Sequence, residues 1–83
     1  MSMQVKAQEM AVLRAVAALQ RQAGHPPTVR EVQRWAGLSS PSHATYWLRA
    51  ARAHGYLEWR ADLSRTLRVT PAGVSVLSLA GVA

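Results

Sequence analysis

Residues 37–47 read "GLSSPSHATYW". A glycine, a run of small polar residues and a proline lead into a tyrosine and a tryptophan. Ser40 is a good helix N-cap, and Pro41 fits the first helical position, where its missing N–H costs nothing. Ser39 can assist the turn. The stretch therefore reads as the end of one helix, a tight turn and the start of another. The second helix is expected from Pro41 to about His54, with Gly55 as its stop. At 100° per residue, Ala44, Leu48 and Ala51 form its core stripe, flanked by Trp47. Ser42, Tyr46, Arg49 and Ala53 fall on the opposite side, with His43 and Ala50 on one edge of that stripe and Thr45 on the other. Polar residues thus cluster in the first two turns of a helix, facing solvent.

Working back toward the N-terminus, "TVRE" at 28–31 is a capping-box pattern that opens a short helix. Val29, Val32 and Ala36 face inward there, and Gly37 ends it, its small size permitting two helices to cross closely. Arg30 and Arg34 lie one turn apart on the outside. Residues 4–23 read as a first helix with a stripe of Val12, Val16, Leu19 and Ala23 and Leu13 beside it. Gly24 and Pro26-Pro27 close it. After Gly55 the period changes to two. "YLEWRA" and "TLRVT", separated by "DLSR", predict a hairpin. "TPAG" at 70–73 predicts a last short helix with Thr70 as N-cap, its apolar side supplied by Val74, Val76, Leu77 and Leu79.

The predicted fold is mostly α with a small β-hairpin. Three helices followed by a two-stranded antiparallel wing, with a short C-terminal helix, is the order of a winged helix-turn-helix. Residues 1–70 would form that domain and residues 71–83 a short helix or tail. In such a fold the helix after the turn lies in a DNA major groove, and the wing reaches neighbouring phosphates or a minor groove.

Composition agrees. The chain has 83 residues, room for one domain. Ten Lys+Arg against four Asp+Glu leave a net charge of +6, which favours a polyanionic partner. Nine of the ten cations are arginine, with Lys6 the exception. Arginine matches phosphate and guanine edges, although a genome rich in G and C would give the same bias. No cysteine is present, so a disulfide or thiolate metal site is excluded, and a reducing compartment fits. The N-terminus lacks a signal-peptide pattern, and the apolar tail has about half the length a membrane span needs. His25, His43 and His54 are scattered, the four acids suggest no shared acid/base work, and no Gly-rich phosphate loop occurs. No enzyme activity, metal or cofactor is expected. With no Phe to supply bulk, Trp35, Trp47 and Trp59 are expected in packing roles.

Residues 8–70 resemble the DNA-binding domain of LexA repressors, which control the bacterial DNA-damage response. The resemblance is carried by "GHPPTVREVQRWAGLSSPSHATYWLRAARAHGYLEW" at 24–59 and "SRTLRV" at 64–69, in order and without a gap. It implies that the first turns of the helix at 41–54 read an operator. By position that role falls to Ser40, Ser42, His43, Thr45 and Tyr46. Arg49 and the wing residues Arg65 and Arg68 would contact phosphates from the helix and from the hairpin at 56–70.

The family often carries acidic residues where Thr45 and Tyr46 stand, so the fold transfers but the operator sequence does not. LexA repressors continue into a self-cleaving peptidase domain with a Ser–Lys dyad that also makes the dimer. With 83 residues and one lysine, the chain is expected to lack that domain. Ala80-Gly81 matches the kind of bond such repressors cut, a pair that also arises readily by chance.

The expected partner is double-stranded DNA, as a palindromic operator bound by a homodimer. The apolar run from Val74 to Leu79 could pair two chains. No membrane or small-molecule substrate is expected, and the cytoplasm, at the nucleoid, is the expected location. A protein-binding winged helix would show an apolar reading face, and a single-strand binder would show open stacking aromatics such as Tyr56 and Trp59.

Overall fold

The computed structural model describes residues 5–60 and 66–80. Helix α1 spans Ala7–Ala23, α2 Val29–Ala36 and α3 Pro41–Ala53. Strands β1 (Leu57–Glu58) and β2 (Arg68–Val69) pair antiparallel, with Leu57 opposite Val69 and Glu58 opposite Arg68. Helix α4 spans Pro71–Leu79. This is the expected winged helix-turn-helix order. The wing tip "DLSR" with Arg65, and Gly81 of the Ala-Gly pair, lie outside the described residues.

The ends of the helices follow local chemistry. Thr28 Oγ1 accepts from the Glu31 amide at 3.1 Å, and the Thr28 amide donates to Glu31 Oε1 at 2.8 Å, so the capping box at α2 is complete. Those hydrogen bonds, the backbone one foremost, hold the Glu31 carboxyl below its ordinary range. Thr70 caps α4 through the Gly73 amide at 3.1 Å, with Pro71 in the first turn. α1 differs from expectation at its start. It begins at Ala7, with Val5 and Lys6 before it, and Lys6 in the N-cap position makes no side-chain cap.

One core joins all the elements. Val12, Leu13, Ala15 and Val16 of α1 meet Val32 of α2, Leu48 and Ala51 of α3, Leu57, Leu67, and Val76 and Leu77 of α4. Several expected inward residues lie elsewhere. Ala23 is exposed, because the last turn of α1 runs past the core. Trp35 is 45% exposed, since it falls roughly 90° off the centre of the α2 stripe. Val74 and Leu79 are also exposed, so α4 buries only a narrow stripe. The strands are shorter than the periodicity suggested. Side-chain bonding prolongs the pairing, as the Arg60 amide donates to Thr66 Oγ1 at 2.7 Å.

One glycine departs from its sequence reading, and another has a role that the sequence did not signal. Gly37 has φ +70° and nothing within 4 Å of where a Cβ would sit, so it serves the turn through its left-handed backbone rather than by close approach. The close approach occurs at Gly73, where a Cβ would collide with the Tyr56 carbonyl oxygen and lie 2.6 Å from Val69 Cγ1. Only glycine lets α4 lie against the wing.

Glu9 is the one buried charged residue in the described core. Its Oε2 accepts from His54 Nδ1 at 2.7 Å, linking the first turn of α1 to the end of α3. The positive end of the α1 dipole favours a carboxylate there.

Gly73→Ala is expected to destabilise the fold by about 1–3 kcal/mol through overpacking, more than Gly24→Ala, which adds only left-handed strain; urea unfolding of both variants checks the order. The Glu31 carboxyl is lowered on folding, so its contribution is present above the ordinary carboxylate range and lost as pH falls through its folded value. Unfolding of Glu31→Ala should therefore differ from the parent at pH 7, with the gap narrowing as the solution is acidified.

Candidate nucleic-acid interface

The turn between α2 and α3 is fastened at several points. Gly37 donates to the Arg34 carbonyl at 3.2 Å and Leu38 to that of Gln33 at 3.0 Å. Gln33 Nε2 donates back to the Leu38 carbonyl at 3.0 Å. Ser40 then caps α3, its Oγ accepting from the His43 amide at 3.1 Å. The serines of the turn thus divide their work. Ser40 caps, and Ser39 Oγ lies 3.2 Å from His43 Nδ1, holding the imidazole beside the helix entrance.

α3 presents its faces as its sequence predicts. Ala44, Leu48 and Ala51 are fully buried, while Ser42, Tyr46, Arg49 and Ala53 are exposed. His43, Thr45 and Ala50 are half-buried at the margins. Tyr46 is 64% exposed, yet its ring stands edge-on to Trp47 at a centroid distance of 4.9 Å and an angle of 90°. Trp47 packs against the core, and its ring lies 6.4 Å from that of His43. Trp47 Nε1 is buried with no hydrogen-bond partner among the described residues. Pro41, Ser42, Thr45, Tyr46 and Arg49 line a shallow groove on the outer side of α3.

The wing is tied to the far end of α3. Arg52 lies over the Trp59 ring, 4.4 Å from its centroid, and its Nη2 donates to the Trp59 carbonyl at 3.5 Å. Tyr56 and Trp59 are half-buried against the core rather than open for stacking. Arg68 pairs with Glu58 directly across the strands. Of the predicted contact residues, Ser40, Ser42, His43, Thr45, Tyr46 and Arg49 gather on α3 and its cap. Arg68 sits apart on the wing.

Glu9–His54 and Arg52–Trp59 are among the tertiary ties that sequence reasoning missed. The first spans 45 residues, and no local pattern signals it. The second pairs residues seven apart in different elements. No group of three or more His, Cys, Asp or Glu among the described residues could hold a metal.

Residues 1–66 match the LexA DNA binding domain family. The chain belongs to that family. The LexA repressor of Lactiplantibacillus plantarum is 34% identical over 79 residues, covering 95% of this chain and 38% of that protein. The LexA repressor of Limosilactobacillus fermentum is 41% identical over 56 residues, covering 68% and 27%. The transcription regulator LexA of a Synechocystis strain is 38% identical over 56 residues, covering 64% and 28%. The chain thus spans less than two-fifths of the length of these curated relatives. The LexA family membership agrees with the turn, cap and wing described above.

Ser40→Ala removes the acceptor for the His43 amide and should cost about 1 kcal/mol. A lowered urea midpoint with unchanged denaturant dependence checks this.

Proposed function

We propose that this chain is the sequence-specific, double-stranded DNA-binding domain of a bacterial LexA-like transcriptional repressor. The observation that carries this reading is the exposed stripe of Ser42, Tyr46 and Arg49 on the helix that follows the turn. Family membership supports the same reading. α3 enters the major groove with its N-terminal half. Ser42, Thr45 and Tyr46 meet base edges, while Ser40, His43 and Arg49 lie nearer the backbone. Ser40 keeps its hydroxyl hydrogen for a phosphate, because capping uses only its oxygen. Residues 1–70 are the reading unit, and α4 at its C-terminal end completes the core. The wing, residues 56–70, lies against phosphates with Arg65 and Arg68.

A single winged module buries about 600–1,000 Å² on DNA and binds weakly. Two copies on a palindromic operator multiply the affinity. The exposed apolar residues Val74 and Leu79 of α4 support direct pairing of two chains. Bound at a promoter, the pair blocks transcription, in the manner of the DNA-damage response that LexA repressors govern. That role belongs in the bacterial cytoplasm, at the nucleoid. No helix among the described residues is long and apolar enough to cross a membrane. A protein-docking role would call for an apolar face, whereas Ser42 and Arg49 share the face with Tyr46.

Selection from a random duplex pool at about 0.1 M salt, where screening still leaves phosphate contacts effective, tests the reading. An enriched palindrome is expected, and retention without any motif would reject sequence reading. Tyr46→Ala should cost about 1–3 kcal/mol on the selected site and relax its sequence. Arg68→Ala should weaken binding to all sequences alike and flatten the salt dependence. Because Glu58 holds Arg68, Glu58→Gln should do the opposite. Binding titrations at several salt concentrations distinguish the variants.

A further inference from the structure

The chemistry of α3 limits which bases it can read. From Pro41 to Ala53 the helix carries no Asp, Glu, Asn or Gln. Asp and Glu accept from the cytosine N4 amino group, and Asn and Gln form the two-pronged contact with adenine. The helix therefore has neither a carboxylate acceptor for cytosine nor a two-pronged amide for adenine, and its polar reading groups are hydroxyls, an imidazole and arginine.

What α3 offers instead is the shallow groove among Pro41, Ser42, Thr45, Tyr46 and Arg49. Pro41, Thr45 and Tyr46 bring a ring, a methyl-bearing side chain and an aromatic ring to its lining. That lining is already in place. Pro41 is locked at the helix start, and Tyr46 is braced edge-on against Trp47, which itself packs on the core. A groove ordered before binding loses little entropy when it is filled. The C5 methyl of thymine is the apolar group that base pairs present in the major groove.

Given that the chain reads duplex DNA as proposed above, we infer that this groove selects thymine by seating its C5 methyl among Pro41, Thr45 and Tyr46. Thymine is thereby distinguished from cytosine by shape and hydrophobicity, without a charged acceptor. Arg49 supplies the groove with a cation and no competing acceptor. Each seated methyl should contribute about fourfold in affinity.

The test runs the duplex selection in parallel from two pools, one with thymidine and one with deoxyuridine in its place. Uracil keeps every hydrogen-bonding group of thymine and lacks only the methyl. The inference expects a motif from the first pool with at least one required thymine per half-site. That position should lose its preference in the deoxyuridine pool. On the selected site, replacing that thymine by uracil should weaken binding about fourfold. With Thr45→Ser or Tyr46→Ala the ratio between the two sites should approach one, whereas a variant that merely loosens the fold would weaken both equally.

The same motif from both pools, with equal affinities, overturns the inference and leaves sequence reading intact. A motif without a required thymine does the same, and so does an unchanged ratio in both variants. Enrichment from neither pool rejects the DNA-reading proposal and the inference with it.

Discussion

Gly37 holds its backbone at φ +70°, and the placing of α3 depends on it. A residue with a Cβ pays a steric penalty in that conformation, whereas glycine adopts it freely. The left-handed step lets Leu38 fold back and bond to the Gln33 carbonyl, and lets Gln33 bond the Leu38 carbonyl in return. The chain then leaves α2 on a defined path, and Ser40 meets the His43 amide as a cap. Shifting this turn would rotate the whole outer face of α3, because the angular position of every side chain follows from where the helix starts.

The far end of α3 is held with equal care by different means. Its buried stripe packs into the common core through Leu48 and Ala51. His54 reaches the Glu9 carboxylate on α1, and Arg52 lies over Trp59 beside the wing. Apolar packing sets the distance between elements, while directional contacts limit sliding and rotation. A recognition surface on a helix anchored in this way can present side chains with little reorganisation. Gly73 serves the same end at the edge of the fold, since α4 reaches the core only by touching the Tyr56 carbonyl.

Charge is distributed to suit a polyanion. Each acid among the described residues has a structural task. Glu9 accepts from His54, Glu31 closes the α2 cap, and Glu58 bonds Arg68. None lies on α3, where Arg49 contributes positive charge and the neighbouring groups are hydroxyls, rings and methyls. The excess of cations therefore acts over much of the surface, and the outer face of α3 adds shape and short-range chemistry to it. In the proposed reading, long-range attraction and base discrimination fall largely to different residues.

Much of this was legible in the sequence, because it depends on interactions within a few residues. The caps at Thr28, Ser40 and Thr70 follow from short side chains three residues before the amides they bond. The faces of α3 follow from the helical period, and each residue assigned to its buried stripe or its outer face is found there. Other features required the tertiary structure. Glu9 is 45 residues from His54, and its burial depends on how α1 and α3 cross. Trp35, Val74 and Leu79 are apolar, yet they stay exposed because the core has no room on their side of short helices. The different roles of Gly37 and Gly73 also lie beyond the sequence. Both are single glycines at helix ends, and only the approach of another segment of backbone separates a glycine needed for its torsion from one needed for its missing Cβ.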